Sequence, residues 1–97
     1  MIYKSHGHEL DLKKITRLYP AVQVDVHGEI AQVSLEWAEL NGDKVKLSNY
    51  VLVFDFDALG EVVKNRIEIL FSTKEELFEE MRKVDVFVKE HNMSKQF

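Results

Sequence analysis

Two aspartates separated by a single residue are the side chains best suited to chemistry in this sequence. Asp55 and Asp57 follow an apolar run that begins at Val51. Carboxylates at this spacing can hold a metal ion or share nucleophilic and acid–base work. The period of two in a strand gives a second interpretation, in which both aspartates stand in the solvent row of an amphipathic strand edge. The alternation of the surrounding residues favours this second interpretation.

The string from Val51 to Gly60 resembles the first motif of haloacid-dehalogenase-type phosphatases, an apolar strand that ends in Asp-x-Asp. The resemblance implies Asp55 as the nucleophile, Asp57 as the acid and base, and magnesium beside them. It is confined to this string, and Leu59 stands where that family has Thr or Val. The later lysine and acidic motifs of the family belong to a doubly wound fold, for which too few residues follow Asp57. We therefore do not predict an enzyme.

The same segment partly fits a calcium-binding loop. Asp55, Asp57 and Gly60 take the first, third and sixth positions of such a loop. Arg66 stands at the twelfth position, where a bidentate glutamate is required, and this argues against tight calcium binding. Weak cation binding by Asp55, Asp57 and Glu61 stays open.

A cluster of histidines near residue 7 is the other candidate metal site. In an extended chain His6 and His8 would lie on one face and could bind zinc, copper or nickel, with Glu9, His27 or His91 completing the site. The alternative is a polar, glycine-containing turn whose histidines bind water. We favour this alternative because no set of three ligands is fixed by the spacing, and we predict no cofactor.

The charge distribution bears on the class of partner. The chain has 13 basic and 17 acidic residues and a formal net charge of −4. Residues 21–63 hold eight acidic and two basic side chains. A local basic surplus occurs only at Lys13, Lys14 and Arg17, whereas nucleic-acid binders present a broad basic stripe. We therefore expect protein partners rather than nucleic acid.

Length and composition indicate the compartment and the number of domains. The absence of cysteine excludes disulfides and thiolate zinc sites, and it favours a reducing environment. No run approaches the roughly 18 apolar residues of a membrane span, and the first residues lack the apolar core of a signal peptide. We predict a single cytoplasmic domain over residues 1–97, with no membrane segment.

Alternating apolar residues predict strands between residues 21 and 57. Val22, Val24 and Val26 form one row, and a turn at His27-Gly28 precedes a second row. The second row consists of Ala31, Val33, Leu35 and Trp37, which we expect to face the core. Asn41-Gly42 then predicts a tight hairpin turn. The apolar phase flips near Ser48-Asn49, as at a β-bulge or a break into two strands. Further strands are predicted over residues 1–6 and 66–71.

Helical spacing occurs at two places. After a cap at Ser72 or Thr73, four apolar residues recur on one face of a helix predicted over residues 74–91. These residues are Leu77, Met81, Val84 and Val88. A short helix is predicted after Asp11, ending before Pro20.

The order of elements predicts an α+β domain. Short turns between strands require antiparallel pairing, so we expect a strongly bent antiparallel sheet or partly open barrel of about 5–6 strands. The long C-terminal helix at about 74–91 would cover it. The arrangement is similar to pleckstrin-homology-like barrels in element order only.

Without a complete catalytic constellation, the leading hypothesis is a non-enzymatic domain that acts through protein–protein contact or as a homodimer. The weak candidates for its interaction surface are Val86, Phe87, Glu36 and Asp25. The alternative is a divalent-metal-binding protein or a small metal-dependent hydrolase that uses the Asp55/Asp57 pair or the His6/His8 pair.

Overall fold

A computed structural model describes residues 2–62 and 64–91. The strands in this part of the chain are β1 (Ile2–Ser5), β2 (His8–Asp11), β3 (Arg17–Val26), β4 (Glu29–Val33), β5 (Lys46–Asp55) and β6 (Arg66–Phe71). The helices are α1 (Leu35–Leu40) and α2 (Lys74–Glu90), and a 3₁₀ turn spans Leu12–Lys14. None of these helices has the length and apolar character needed to cross a membrane.

The strands form two antiparallel sheets. β1 and β2 make a hairpin, and the other four strands lie in the order β4-β3-β5-β6. The predicted α+β class with antiparallel strands and a long C-terminal helix is confirmed. The four-stranded sheet is not closed, because its outer strands β4 and β6 do not pair with each other. The likeness in element order to pleckstrin-homology-like barrels stays a prediction.

The predicted change of phase in β5 is a β-bulge. Gln23 of β3 pairs with Asn49, whereas Val24 pairs with Leu47, so Ser48 is the extra residue. An extra residue returns the apolar side chains of both halves of the strand to one side of the sheet. The bulge therefore explains how one ten-residue strand carries two phases.

Helix α1 replaces a predicted strand and hairpin. The Ser34 side chain accepts a hydrogen bond from the Trp37 backbone N–H at 3.1 Å, which caps the helix. Asn41 ends the helix with a φ of −118°, so Asn41-Gly42 does not form the tight hairpin turn. The prediction was wrong because Leu35 and Trp37 fit a strand row, while the Ser34 cap starts a helix at the same place. Trp37 is exposed on α1 instead of lying in the core.

The predicted helix before Pro20 is also wrong beyond its first turn. Asp11 does cap the 3₁₀ turn, accepting from the Lys13 backbone N–H at 3.1 Å. The chain then becomes β3, which runs through Pro20. β4 pairs only with residues Val22–Val26 of β3, so Pro20 lies where the outer edge of β3 is free. A proline is tolerated there because a free edge needs no N–H donor.

Helix α2 packs on one face of the four-stranded sheet, as predicted. Thr73 caps it by accepting from the Glu76 backbone N–H at 3.1 Å. Its buried apolar residues join a core with the β1–β2 hairpin and the sheet. The fully buried members of that core are Leu10, Leu12, Ile15, Leu52, Phe54 and Leu77. We call the side of the sheet that carries Leu52 and Phe54 the helix-side face.

Candidate functional site

Asp55 and Asp57 are buried, with exposed fractions of 4% and 8%, so the expectation of a solvent row was wrong. The Asp57 carboxylate accepts from the backbone N–H of Lys64 at 2.8 Å and of Asn65 at 2.9 Å. The Asn65 side-chain amide donates to it as well, at 3.3 Å. These bonds, led by the Asn65 backbone N–H, hold the pKa of Asp57 below its usual range against the opposing effect of burial.

Both oxygens of the Asp55 carboxylate also accept hydrogen bonds. One carboxylate oxygen accepts from the Asp57 backbone N–H at 3.1 Å, and the other accepts from the Arg66 guanidinium at 3.3 Å. Thr16 binds the backbone of Asp55, because the Thr16 N–H and hydroxyl both donate to the Asp55 carbonyl, at 2.8 and 3.0 Å. The two aspartates therefore fix the connection between β5 and β6. Glu61 lies exposed in this connection.

The histidines occupy turns and a helix end. His6 has a φ of 48° in the turn between β1 and β2, so it and His8 do not form the extended pair that was expected. The Nδ1 of His6 lies 2.7 Å from Ser5 Oγ. His27 has a φ of 53° in the turn before β4, and His91 caps the C-terminus of α2. No group of three or more His, Asp or Glu side chains within the described ranges is arranged to hold a metal ion.

The residues expected to form an interaction surface lie on different elements. Phe87 is half-buried on α2, where its ring packs on the ring of Tyr3 with centroids 5.3 Å apart. Val86 is exposed on α2, and Glu36 is exposed on α1. Asp25 lies in β3, where its carboxylate accepts from the Gly28 N–H at 2.8 Å. Of these four residues, only Asp25 belongs to the surface described below.

A buried glutamate that the sequence pattern did not single out joins α2 to the β1–β2 hairpin. Glu80 is 5% exposed, and its Oε2 accepts hydrogen bonds from the hydroxyls of Tyr3 and, at 3.0 Å, Ser5. Burial, followed by the nearby Glu80 carboxylate, raises the pKa of Tyr3. Glu80 comes three residues after Leu77 and four before Val84, so it falls on the buried stripe of the helix. In the sequence, this spacing was the available sign that Glu80 is buried.

The sheet has a second face, opposite the helix-side face. Because side chains alternate along a strand, the neighbours of Leu52 and Phe54 point to this other side. We call it the open face. Its apolar residues are Tyr19 and Ala21 of β3, Val51 and Val53 of β5, Ile30 of β4 and Leu70 of β6.

The apolar centre of the open face is built from sheet residues alone. Ala21, Val51 and Val53 form a second buried cluster with Tyr19 against it, and no residue from a helix or from the β1–β2 hairpin belongs to that cluster in the described chain. Leu70 and Ile30 remain 50% and 60% exposed. Residues 50–54 are apolar at five consecutive positions, a pattern typical of strands covered on both faces. In the sequence, this apolar run was the available sign that β5 has apolar side chains on both faces of the sheet.

Polar and charged residues surround the apolar centre. Three amides lie near it, those of Gln23, Gln32 and Asn49. The charged side chains of the open face are Arg17, Lys46, Arg66, Asp25, Asp55 and Glu68. Two of the cations, Arg17 and Arg66, lie near the Tyr19 ring, with guanidinium carbons 4.8 Å and 6.0 Å from its centroid. Such cation–π contacts hold the ring in place.

A groove of about 410 Å³ opens where β4 ends and β3 continues. Tyr19, Ala21, Gln32 and Arg66 line it from the open face, and Pro20 lines it from the free edge of β3. The groove is shallow and holds no cluster of catalytic groups. Tyr19 and Arg66 in its lining belong to the aromatic and arginine types that are enriched at protein interfaces.

Comparisons with protein-family models, with curated proteins and with solved structures find no match to this chain.

Proposed function

We propose that this chain acts through protein–protein contact and that the open face is its contact surface. The observation that carries the proposal is the exposure of Leu70 and Ile30, 50% and 60%, on a sheet face whose buried cluster includes no helix residue in the described chain. Exposed apolar side chains framed by polar ones are typical of interaction surfaces. A non-enzymatic role also accords with the aspartates, whose carboxylates are bound to backbone N–H groups and to Arg66.

Site-specific photocrosslinking tests the proposal. The photoreactive amino acid p-benzoylphenylalanine replaces Leu70 on the open face in one variant and Leu40 on α1 in another. Leu40 is the matched control because it is an exposed leucine, at 82%, outside the sheet. In cells that naturally express the chain, light should produce a crosslinked protein adduct from position 70 and a much weaker adduct from position 40. Equal yields, or no adduct at position 70, would contradict the proposal.

A further inference from the structure

We propose that a cavity between α2 and the turn of the β1–β2 hairpin binds the ammonium group of a primary amine. The cavity has a volume of about 330 Å³, at the lower end of the range for small-molecule sites. Its lining consists of His6, Phe71, Lys83 and four glutamates of α2, and we call it the helix–hairpin cavity. It lies on the helix side of the sheet, so this inference is independent of the open face and of the contact function proposed there.

One oxygen of the Glu80 carboxylate lacks a hydrogen-bond donor. Its Oε2 accepts from the hydroxyls of Tyr3 and Ser5, whereas no donor within the described residues reaches Oε1. The other two buried acidic residues of the described chain, Asp55 and Asp57, have donors on both oxygens. A buried charged group with an unpaired oxygen is costly, and this cost is removed when a ligand supplies the missing donor.

The unpaired oxygen of Glu80 is open to the cavity. In the described chain, the single side-chain nitrogen or oxygen that is both fully covered and without a partner is Arg66 Nε. Glu80 Oε1 also has no partner, so it must reach accessible surface, and Glu80 lines the helix–hairpin cavity. A donor that enters this cavity can therefore reach Oε1.

His6 supplies a second acceptor in the cavity wall. The Ser5 hydroxyl donates its one proton to Glu80 at 3.0 Å, so the 2.7 Å contact between Ser5 Oγ and His6 Nδ1 requires a proton on Nδ1. A neutral ring with this tautomer has a lone pair on Nε2. The ring packs edge-on against Phe71, with centroids 5.2 Å apart, and this contact holds it in place.

The charge of the lining favours a cation. Its glutamates are Glu75, Glu76, Glu79 and Glu80. With Lys83, and with histidine counted as neutral, they give the lining a formal charge of −3. Each of the first two glutamates lies four residues before one of the others, and like charges at this spacing destabilise a helix. Within the described residues, only Glu79 of these four makes an ion pair, with Arg82. A bound cation would relieve the remaining repulsion.

The hydrogen bonding of Glu80 favours an ammonium over a guanidinium. A guanidinium binds a carboxylate best through two parallel N–H bonds, one to each oxygen. Because Oε2 already accepts from two hydroxyls, only Oε1 is available, and a compact ammonium suits a single oxygen. A metal ion is disfavoured, since no three His, Asp or Glu side chains in the described ranges are arranged to hold one.

Titration of the isotope-labelled chain with n-butylammonium chloride, followed by NMR at neutral pH and constant ionic strength, tests the site. The amide signals of Ser5, His6 and Glu80 should shift in a saturable way, with a dissociation constant of about 1–10 mM. Tetramethylammonium is the matched control ligand, because it has the same charge but no N–H donor, and it should bind at least about tenfold more weakly. The absence of saturation up to about 50 mM, or equal binding of the two cations, would overturn the proposal.

A substitution at Glu80 tests the residue that carries the proposal. Glu80→Gln should weaken n-butylammonium binding at least about tenfold, because an amide has no charge and can turn its N–H donors toward the cavity. Glu90→Gln is the matched control, because Glu90 is exposed on the same helix and does not line the cavity, and the affinity should stay within about twofold. Equal affinities of the two folded variants would refute the site.

A substitution at Lys83 tests the electrostatic argument without changing the buried carboxylate. Lys83 is exposed, and Lys83→Gln removes the lysine cation from the lining. It should strengthen n-butylammonium binding about twofold or more. Circular dichroism establishes that each variant is folded, and Lys83→Gln provides the test if Glu80→Gln does not fold. Weaker or unchanged binding by Lys83→Gln would contradict the proposal.

Two further ligands distinguish the source of the amine. N-acetyl-lysine N-methylamide presents a lysine side chain on a peptide-like backbone, whereas cadaverine is a free diamine. If the lysine derivative binds at least as tightly as n-butylammonium, the cavity accepts a lysine side chain of a protein. If cadaverine binds and the lysine derivative does not, the ligand is a free amine. If neither binds, the site is overturned, while crosslinking at position 70 decides the contact function of the open face separately.

Discussion

The junction between the β1–β2 hairpin and α2 depends on a hydroxyl that one substitution removes. Tyr3→Phe keeps the ring and its contact with Phe87 but deletes the donor to the buried Glu80 carboxylate. Hydrogen bonds to charged groups contribute about 1.5–3 kcal/mol. Among the described residues Glu80 then retains only the Ser5 donor, so we expect Tyr3→Phe to lower the free energy of unfolding by about 1.5–3 kcal/mol.

Urea unfolding followed by circular dichroism at pH 7 measures this loss. Tyr19→Phe is the matched control, because Tyr19 lies on the open face away from Glu80, and it should change stability by less than about 0.5 kcal/mol. A double-mutant cycle with Glu80→Gln should give a coupling energy of about 1 kcal/mol or more between positions 3 and 80. Equal effects of the two tyrosine variants would refute the role of this hydrogen bond.

The pH dependence of stability provides a second readout of the same bond. The pKa of Tyr3 is raised in the folded chain above the ordinary 10.0, so its contribution is complete below pH 10.0. As the pH rises above that value, the unfolded chain releases the tyrosine proton first, and stability falls. The wild type should therefore lose more stability above pH 10.0 than Tyr3→Phe. Parallel curves for the two proteins would contradict this expectation.

Three further predictions concern other parts of the fold. The pKa of Asp57 is lowered from 3.8, so its contribution is present above pH 3.8 and disappears as the pH falls below it; Asp57→Asn should flatten this acid limb in urea titrations between about pH 5 and 2. Leu77→Ala removes a fully buried side chain and should cost about 2–5 kcal/mol, whereas the exposed Leu40→Ala should stay within about 0.5 kcal/mol in the same assay. Thr73→Ala deletes the cap of α2 and should cost about 1 kcal/mol by thermal denaturation, whereas Ser72→Ala beside it should change little.

The elements that the sequence predicts well depend on local periodicity. The strand over residues 66–71, the bulge at Ser48 and the helix from Lys74 are all confirmed, because side-chain alternation and the Thr73 cap are properties of neighbouring residues. Helix α1 was missed because Leu35 and Trp37 continue the strand alternation of Ala31 and Val33. There the Ser34 cap, a single hydrogen bond, selects the helix.

The candidate sites were harder to predict because their partners are distant in sequence. Asp57 is buried, and its partners lie seven and eight residues further along the chain, beyond the reach of strand alternation. Predicting the open face requires knowing which side of the sheet α2 covers. The apolar run at residues 50–54 shows that β5 is suited to burial on both sides, but alternation alone cannot identify what covers the second side.

The hydrogen bond between Tyr3 and Glu80 also constrains when the chain can complete its fold. The two residues are 77 positions apart. At a synthesis rate of about 5–20 residues per second, Tyr3 is added to the chain about 4–15 seconds before Glu80. A two-stranded hairpin is at best marginally stable alone, so β1 and β2 must wait for α2 before they acquire a stable position. During those seconds Leu10 has no completed core to enter, and a nascent-chain chaperone that shields it would protect folding.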